Sequence, residues 1–168
     1  MKKKSIRYRI RERIISRVFK KNKRRVSFPQ IGKIKTVGVI CDENQCFNSP
    51  SESLFSNSRI VKLVFKNKKR PKDENEVAVY ISDYNIWKLP VKRRINDFVK
   101  QKFSILIDLT NGDNRAVEYI SALSNAEFLV GSNPKSKVFD LIIAQNFVNS
   151  GDLINEIEKT LRNLSSKA

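Results

Sequence analysis

The sequence predicts a three-layer α/β domain with a mostly parallel sheet of four to six strands, preceded by a basic amphipathic helix. Three observations predict this. Compact apolar runs rich in β-branched residues recur at 36–40, 77–81, 103–109 and 139–143, the pattern of strands buried on both faces. Stretches of helical period, 114–125 and 152–164, alternate with the later runs, as βαβ units require. The chain has 168 residues, 40% of them hydrophobic, enough for one real core. The expected organisation is a basic arm over 1–33 and an α/β domain over 34–168.

Residues 5–21 are the first element. Ile6, Ile10, Ile14, Ile15, Val18 and Phe19 form one apolar stripe at helical spacing, with Arg and Lys around the rest. Alternation in 7–11 leaves a minor strand reading that Ile14 and Ile15 break. The helix should end before the Lys23, Arg24, Arg25 run and Pro29. Its stripe can dock on the domain, or lie on a membrane surface or in an RNA groove. Next, 36–40 reads as a strand closed by Asp42, Glu43 and Asn44. Residues 51–66 read as a helix running into a strand, and 66–72 as a solvated basic loop. A second strand at 77–81 is closed by Ser82 and Asp83. Residues 84–102 read as a loop and a short helix near 95–98.

The last third is the most regular. It reads as a strand at 103–109, a helix at 114–125 and a short strand at 127–130 stopped by Gly131. A strand at 139–143 follows, then a final helix capped by Asp152.

Charge is graded along this framework. The net charge is +17. Residues 1–35 hold 15 basic residues and one acid, Glu12, whereas 103–168 hold 6 basic and 8 acidic. A basic arm on an ordinary domain has this profile. Codon bias in an AT-rich genome accounts for abundant Lys, Asn and Ile but not for the Arg cluster. The basic set is Arg7, Arg9, Arg11, Arg13, Arg17, Lys20, Lys21, Lys23, Arg24 and Arg25 on the arm, with Lys68, Lys69, Arg70, Arg93 and Arg94 beyond it. Tyr8, Phe19, Phe28, Phe65 and Trp87 lie among these cations. Guanidinium neutralises phosphate and rings stack on unpaired bases, so the set suits RNA. It also suits an anionic leaflet.

Other chemistries are excluded or weakened. With no His, there is no imidazole base and no Ser-His-Asp site. No phosphate-cradling glycine loop occurs, so no cofactor is expected, and the protein is expected not to be an enzyme. Two Cys and no His leave a structural zinc without ligands, so no metal is expected either. Arg interrupts the N-terminal segment too often for a secretory signal. The expected location is a reducing cytoplasm, peripheral to the ribosome or inner membrane, with Cys41 and Cys46 as free thiols. In open α/β sheets ligands bind beyond the carboxyl ends of the strands. Asp42, Asp83 and Asp108 fall there, with Arg115 able to assist anion binding at a helix start. These four are the candidate ligand pocket, set against the plain reading of turn and capping acids.

The stretch from Phe103 to Ile143 resembles an uncharacterised bacterial family of small Rossmann-like proteins. It is carried by Phe103-Ser-Ile-Leu-Ile-Asp-Leu109, Arg115, Ala122-Leu-Ser-Asn-Ala-Glu-Phe-Leu-Val-Gly131 and Phe139-Asp-Leu-Ile-Ile143, and it covers residues 33–165. The resemblance implies a fold and no established activity. The part from Ile107 to Gly131 is also similar to the N-terminal half of lipopolysaccharide heptosyltransferases. Their donor-binding second half has no counterpart here, so no transferase activity is implied. The acids after the strands loosely resemble the pocket of phosphoacceptor receiver domains. Ala144, Gln145 and Asn146 stand where a receiver places its lysine.

The resulting expectation is a non-catalytic binding protein whose arm associates with RNA, the ribosome foremost. The alternatives are a peripheral membrane protein anchored by helix 5–21, and a receiver-like or small-ligand-binding domain using Asp42, Asp83 and Asp108.

Overall fold

The computed structural model describes residues 5–45, 55–71, 77–110, 114–143 and 150–165. Six strands form one sheet: β1 (Thr36–Asp42), β2 (Arg59–Lys66), β3 (Ala78–Tyr80), β4 (Ile105–Asp108), β5 (Leu129–Gly131) and β6 (Leu141–Ile142). Their order is β3-β2-β1-β4-β5-β6, and every pair is parallel. Four α-helices accompany them: α1 (Ile6–Lys21), α2 (Lys92–Val99), α3 (Arg115–Leu123) and α4 (Ser150–Ser165). This is the expected α/β class, with the N-terminal helix where its stripe placed it.

Strand alternation sorts the core into two layers. Val37, Val39 and Cys41 of β1 pack with Leu153, Ile154, Ile157 and Leu161 of α4. Ile40 of β1 and Leu106 of β4 face the other way, toward Phe98 of α2, Val117 and Ile120 of α3, and Ile15 of α1. Gly38 lies on this second face. A Cβ there would sit 2.7 Å from Leu106 Cδ1 and 3.0 Å from the Phe103 ring, so only glycine lets these two close over β1.

The N-terminal segment is built into this architecture. Ser5 caps α1 by accepting from the Tyr8 N–H. Ile15 is buried, and Val18 and Phe19 pack beside it; Ile6, at the start of the stripe, is exposed. Asn22 Nδ2 donates to the carbonyls of Ala122 (3.0 Å) and Ser124 (2.7 Å), closing the C-terminal end of α3. Arg24 donates to both Asp140 oxygens (2.5 and 2.7 Å) and to the Ala126 and Glu127 carbonyls. Phe28 meets Phe128 edge-on.

Three expectations change. The segment read as a helix entering a strand is strand from Arg59 onward, after a turn at Phe55 to Asn57. Its Ile60, Val61 and Val64 are β-branched and find a parallel partner in β1, which outweighs local helical spacing. Asp152 is not the cap of α4. It lies in the first turn of a helix that begins at Ser150, where its charge still meets the positive helix end. Cys41 is not a free thiol; it is disulfide-bonded and fully buried. Cys46, Ser51 to Leu54, Lys72, Asn111 to Asp113 and Ala144 to Asn146 lie outside the described residues.

Candidate functional site

The strand order makes β1 and β4 neighbours from which successive connections run in opposite directions. Ligands of open α/β sheets lodge at this reversal, beyond the carboxyl ends. Asp42 ends β1 and Asp108 ends β4. Each follows by two residues a side chain of the α2–α3 layer, Ile40 and Leu106, so alternation turns both carboxyls to that same face.

Asp108 is buried. Its Oδ1 accepts from the Thr110 N–H (2.8 Å) and hydroxyl (2.6 Å). Burial pushes its pKa up to about 7 against the pull of these two bonds, and the charges of Asp42 and Glu118 add to the rise. Burial also raises the pKa of Asp42. Tyr84 stands near Asp42 and Asp83; burial first, then both carboxylates, push its phenol up to about 12. Before these groups opens a cleft of about 560 Å³ lined by Asp42, Asn44, Lys66, Asn67, Tyr84 and Asn114, among others. Asn114 also caps α3, accepting from the Ala116 N–H at 3.1 Å.

Of the four pocket candidates, the structure brings Asp42 and Asp108 together. Asp83 is buried beside them in another role. It accepts from the Tyr80 N–H (3.0 Å) and from Arg70 Nη2 (2.9 Å), with Arg94 Nε at 3.5 Å. Arg115 turns away from the carboxyl edge toward α1. It is buried, pairs with Glu118, reaches Glu12 at 3.5 Å, and bonds the Tyr8 hydroxyl with its cation 4.8 Å from that ring. Glu118 also accepts from Asn133 Nδ2 at 3.0 Å. This buried network seals α1 onto α3. Among the described residues no three Cys, Asp or Glu side chains gather as a metal site would need.

The basic residues divide as well. Arg24 and Arg70 are committed to Asp140 and Asp83, and Arg70 also lies 4.5 Å over the Tyr80 ring. Lys68 pairs with Glu43 at 3.5 Å on the surface. Arg7, Arg9, Arg13, Arg17, Lys20, Lys21, Lys23, Arg25, Lys69 and Arg93 are exposed, and Arg11 is half-buried. Arg9, Arg13, Arg17 and Lys21 recur every four residues and so form one row on the outer side of α1, rising about 6 Å per step. Tyr8, Phe28 and Phe65, three of the interleaved aromatics, are engaged in the fold.

Sequence reasoning missed Tyr84 and the pair Lys135 and Lys137. The two lysines share a groove with Lys20, Ile15 and Phe19 of α1. No local pattern signals this, because their proximity depends on where α1 docks.

A family profile matches residues 2–164. The chain belongs to the DUF6913 family of unknown function. The DUF6913 match runs through α1 as well as the sheet, so the basic helix lies within the region that defines the family. No curated protein and no solved structure shows significant similarity to the chain.

Proposed function

We propose that this is a non-catalytic RNA-binding protein that associates with the ribosome through the outer face of α1. The observation that carries the reading is the row Arg9, Arg13, Arg17 and Lys21: exposed, evenly spaced, and held on a helix whose other side is anchored to α3. None of the four makes an ion pair among the described residues. A rigid row loses little conformational freedom on meeting a phosphate backbone, and arginine fits phosphate oxygens in bidentate fashion. The absence of His, and of any phosphate loop or nucleophile–base pair in the sequence, supports a binding role over catalysis.

Docking also bears on the membrane alternative. Of the stripe that a bilayer would take up, Ile15 is buried in the core, Val18 and Phe19 pack against it, Ile10 and Ile14 are half-buried, and Ile6 alone is exposed. No helix among the described residues is long and apolar enough to cross a membrane. The surface that remains is mostly cationic, which favours RNA over lipid.

The test is co-sedimentation of the intact chain with ribosomes and with vesicles of anionic lipid, alongside filter binding to single-stranded RNA over a salt series. The expected result is ribosome association and a log–log salt slope near −3, at about −0.7 for each of the row's four cations. Sedimentation with vesicles alone, or affinity that does not change with salt, would overturn the reading.

A further inference from the structure

We infer that the cleft at the carboxyl edge of β1 and β2 binds an uncharged ligand bearing a vicinal diol, a nucleoside or a simple sugar. This site is separate from the cationic row and does not depend on it. Four polar side chains converge there without a hydrogen bond to any described residue: the Asp42 carboxylate, the Tyr84 hydroxyl, and the Asn44 and Asn67 amides. Asp42 and Tyr84 are half-buried. Partly desolvated groups of this kind take their partners from water or from a ligand. The cleft volume, about 560 Å³, is in the range of small-molecule sites.

The lining selects the chemistry. A carboxylate is an acceptor with two oxygens, suited to two adjacent hydroxyl donors. Amides both donate and accept, so Asn44 and Asn67 can read further hydroxyls or a base edge. The Tyr84 ring and Phe65 supply an apolar wall. Charge settles what the ligand lacks. Glu43 is paired with Lys68, and Lys66 lines the cleft together with Asp42, so this region of a strongly basic protein is close to neutral. At the end of β1, where phosphate-binding α/β proteins carry a glycine turn, this chain has Asp42 and Glu43, with Asp108 behind them. A phosphate placed at the end of β1 meets these carboxylates, so the ligand is not a nucleotide held there by its phosphates.

The experiment is calorimetric titration of the intact chain with adenosine, ribose and glucose. 2′,3′-Dideoxyadenosine, which lacks the vicinal diol, and adenosine 5′-phosphate serve as comparators. The inference expects saturable binding of at least one of the first three. If that ligand is adenosine, the dideoxy form is weaker by about tenfold or more and the phosphate form no tighter. Binding of adenosine without ribose or glucose assigns a nucleoside; binding of the free sugars assigns a sugar. Asp42→Asn, with an unchanged thermal midpoint, should weaken binding by a similar factor. Asn67→Leu, at an exposed position, gives the same readout should Asp42→Asn fail to fold. No saturable heat with any of the three, equal affinity for the dideoxy form, or full affinity after both substitutions overturns the inference.

Discussion

Two sets of arginines divide the molecule. Arg24, Arg70 and Arg115 lie in seams where a carboxylate answers each one. Arg9, Arg13 and Arg17 stand on the outer side of α1 with no such answer among the described residues. Composition counts the two sets alike, yet they do opposite things. The seam arginines hold α1, the β3 end and the β6 start in place, at a desolvation cost their partners offset. The outer arginines contribute little to the fold and keep their charge exposed. The lesson is that the net charge marks a surface only after the committed cations are subtracted, and that subtraction needs the three-dimensional structure.

The sharpest way to break this contrast is Arg115→Ala. It strands buried Glu118 and removes the cation from the Tyr8 ring, so stability should drop by about 4 kcal/mol, read as a lower urea midpoint. A loss near zero would place Arg115 with the outer set.

The carboxyl edge gives the next effect, and its sign is opposite to that of a salt-bridged acid. Unfolded Asp108 loses its proton near pH 4, whereas in the fold it keeps it to about 7. Between those values the native state binds the extra proton, so stability should fall as pH rises through the window, by on the order of 3 kcal/mol between about pH 5 and about pH 8. Asp108→Asn should flatten this fall, which urea titrations at about pH 5 and about pH 8 would reveal.

A smaller loss is expected for Arg24→Ala. Its side chain is nearly buried, and its bonds to Asp140 and two carbonyls secure the start of β5. The cost should be about 2 kcal/mol, with hydrogen exchange quickening first at the β5 amides. The smallest effect belongs to the outer row. Arg13→Ala should change stability by less than about 0.5 kcal/mol while making the RNA salt slope shallower by about 0.7. A stability loss as large as that of Arg24→Ala would dissolve the contrast.

How much of this was legible beforehand follows from range. β1 and β4 are continuous apolar runs, so burial on both sides could be read from ten or so letters. The α1 stripe was equally plain, because helical spacing is a local property. What the stripe would meet was not, since α3 lies about 100 residues further on and nothing local names it. The same distance hides the Arg24–Asp140 pair, 116 residues apart. At the candidate site, Asp42 and Asp108 were readable as acids ending strands. Asp83 looked identical to them, and only the loop that carries Arg70 and the helix α2 that carries Arg94 show that it is already occupied. Tyr84 gave no signal, standing in a mixed segment without period. The Cys41 disulfide was not legible, because a basic sequence without a secretory signal implies a reducing compartment.

The two Asn22 bonds to the end of α3 carry a consequence in time. During synthesis α1 leaves the ribosome about 100 residues ahead of the helix it will lie on. At 5–20 residues per second it waits roughly 5–20 s with Ile15, Val18 and Phe19 uncovered. Throughout that wait a cationic, amphipathic segment is tethered beside the most RNA-dense surface in the cell. Burial of its apolar side is thus among the last steps of a slow, non-local folding process. A chain stalled before residue 115 would present both faces of α1 at once, since the helix that covers the apolar face is not yet made.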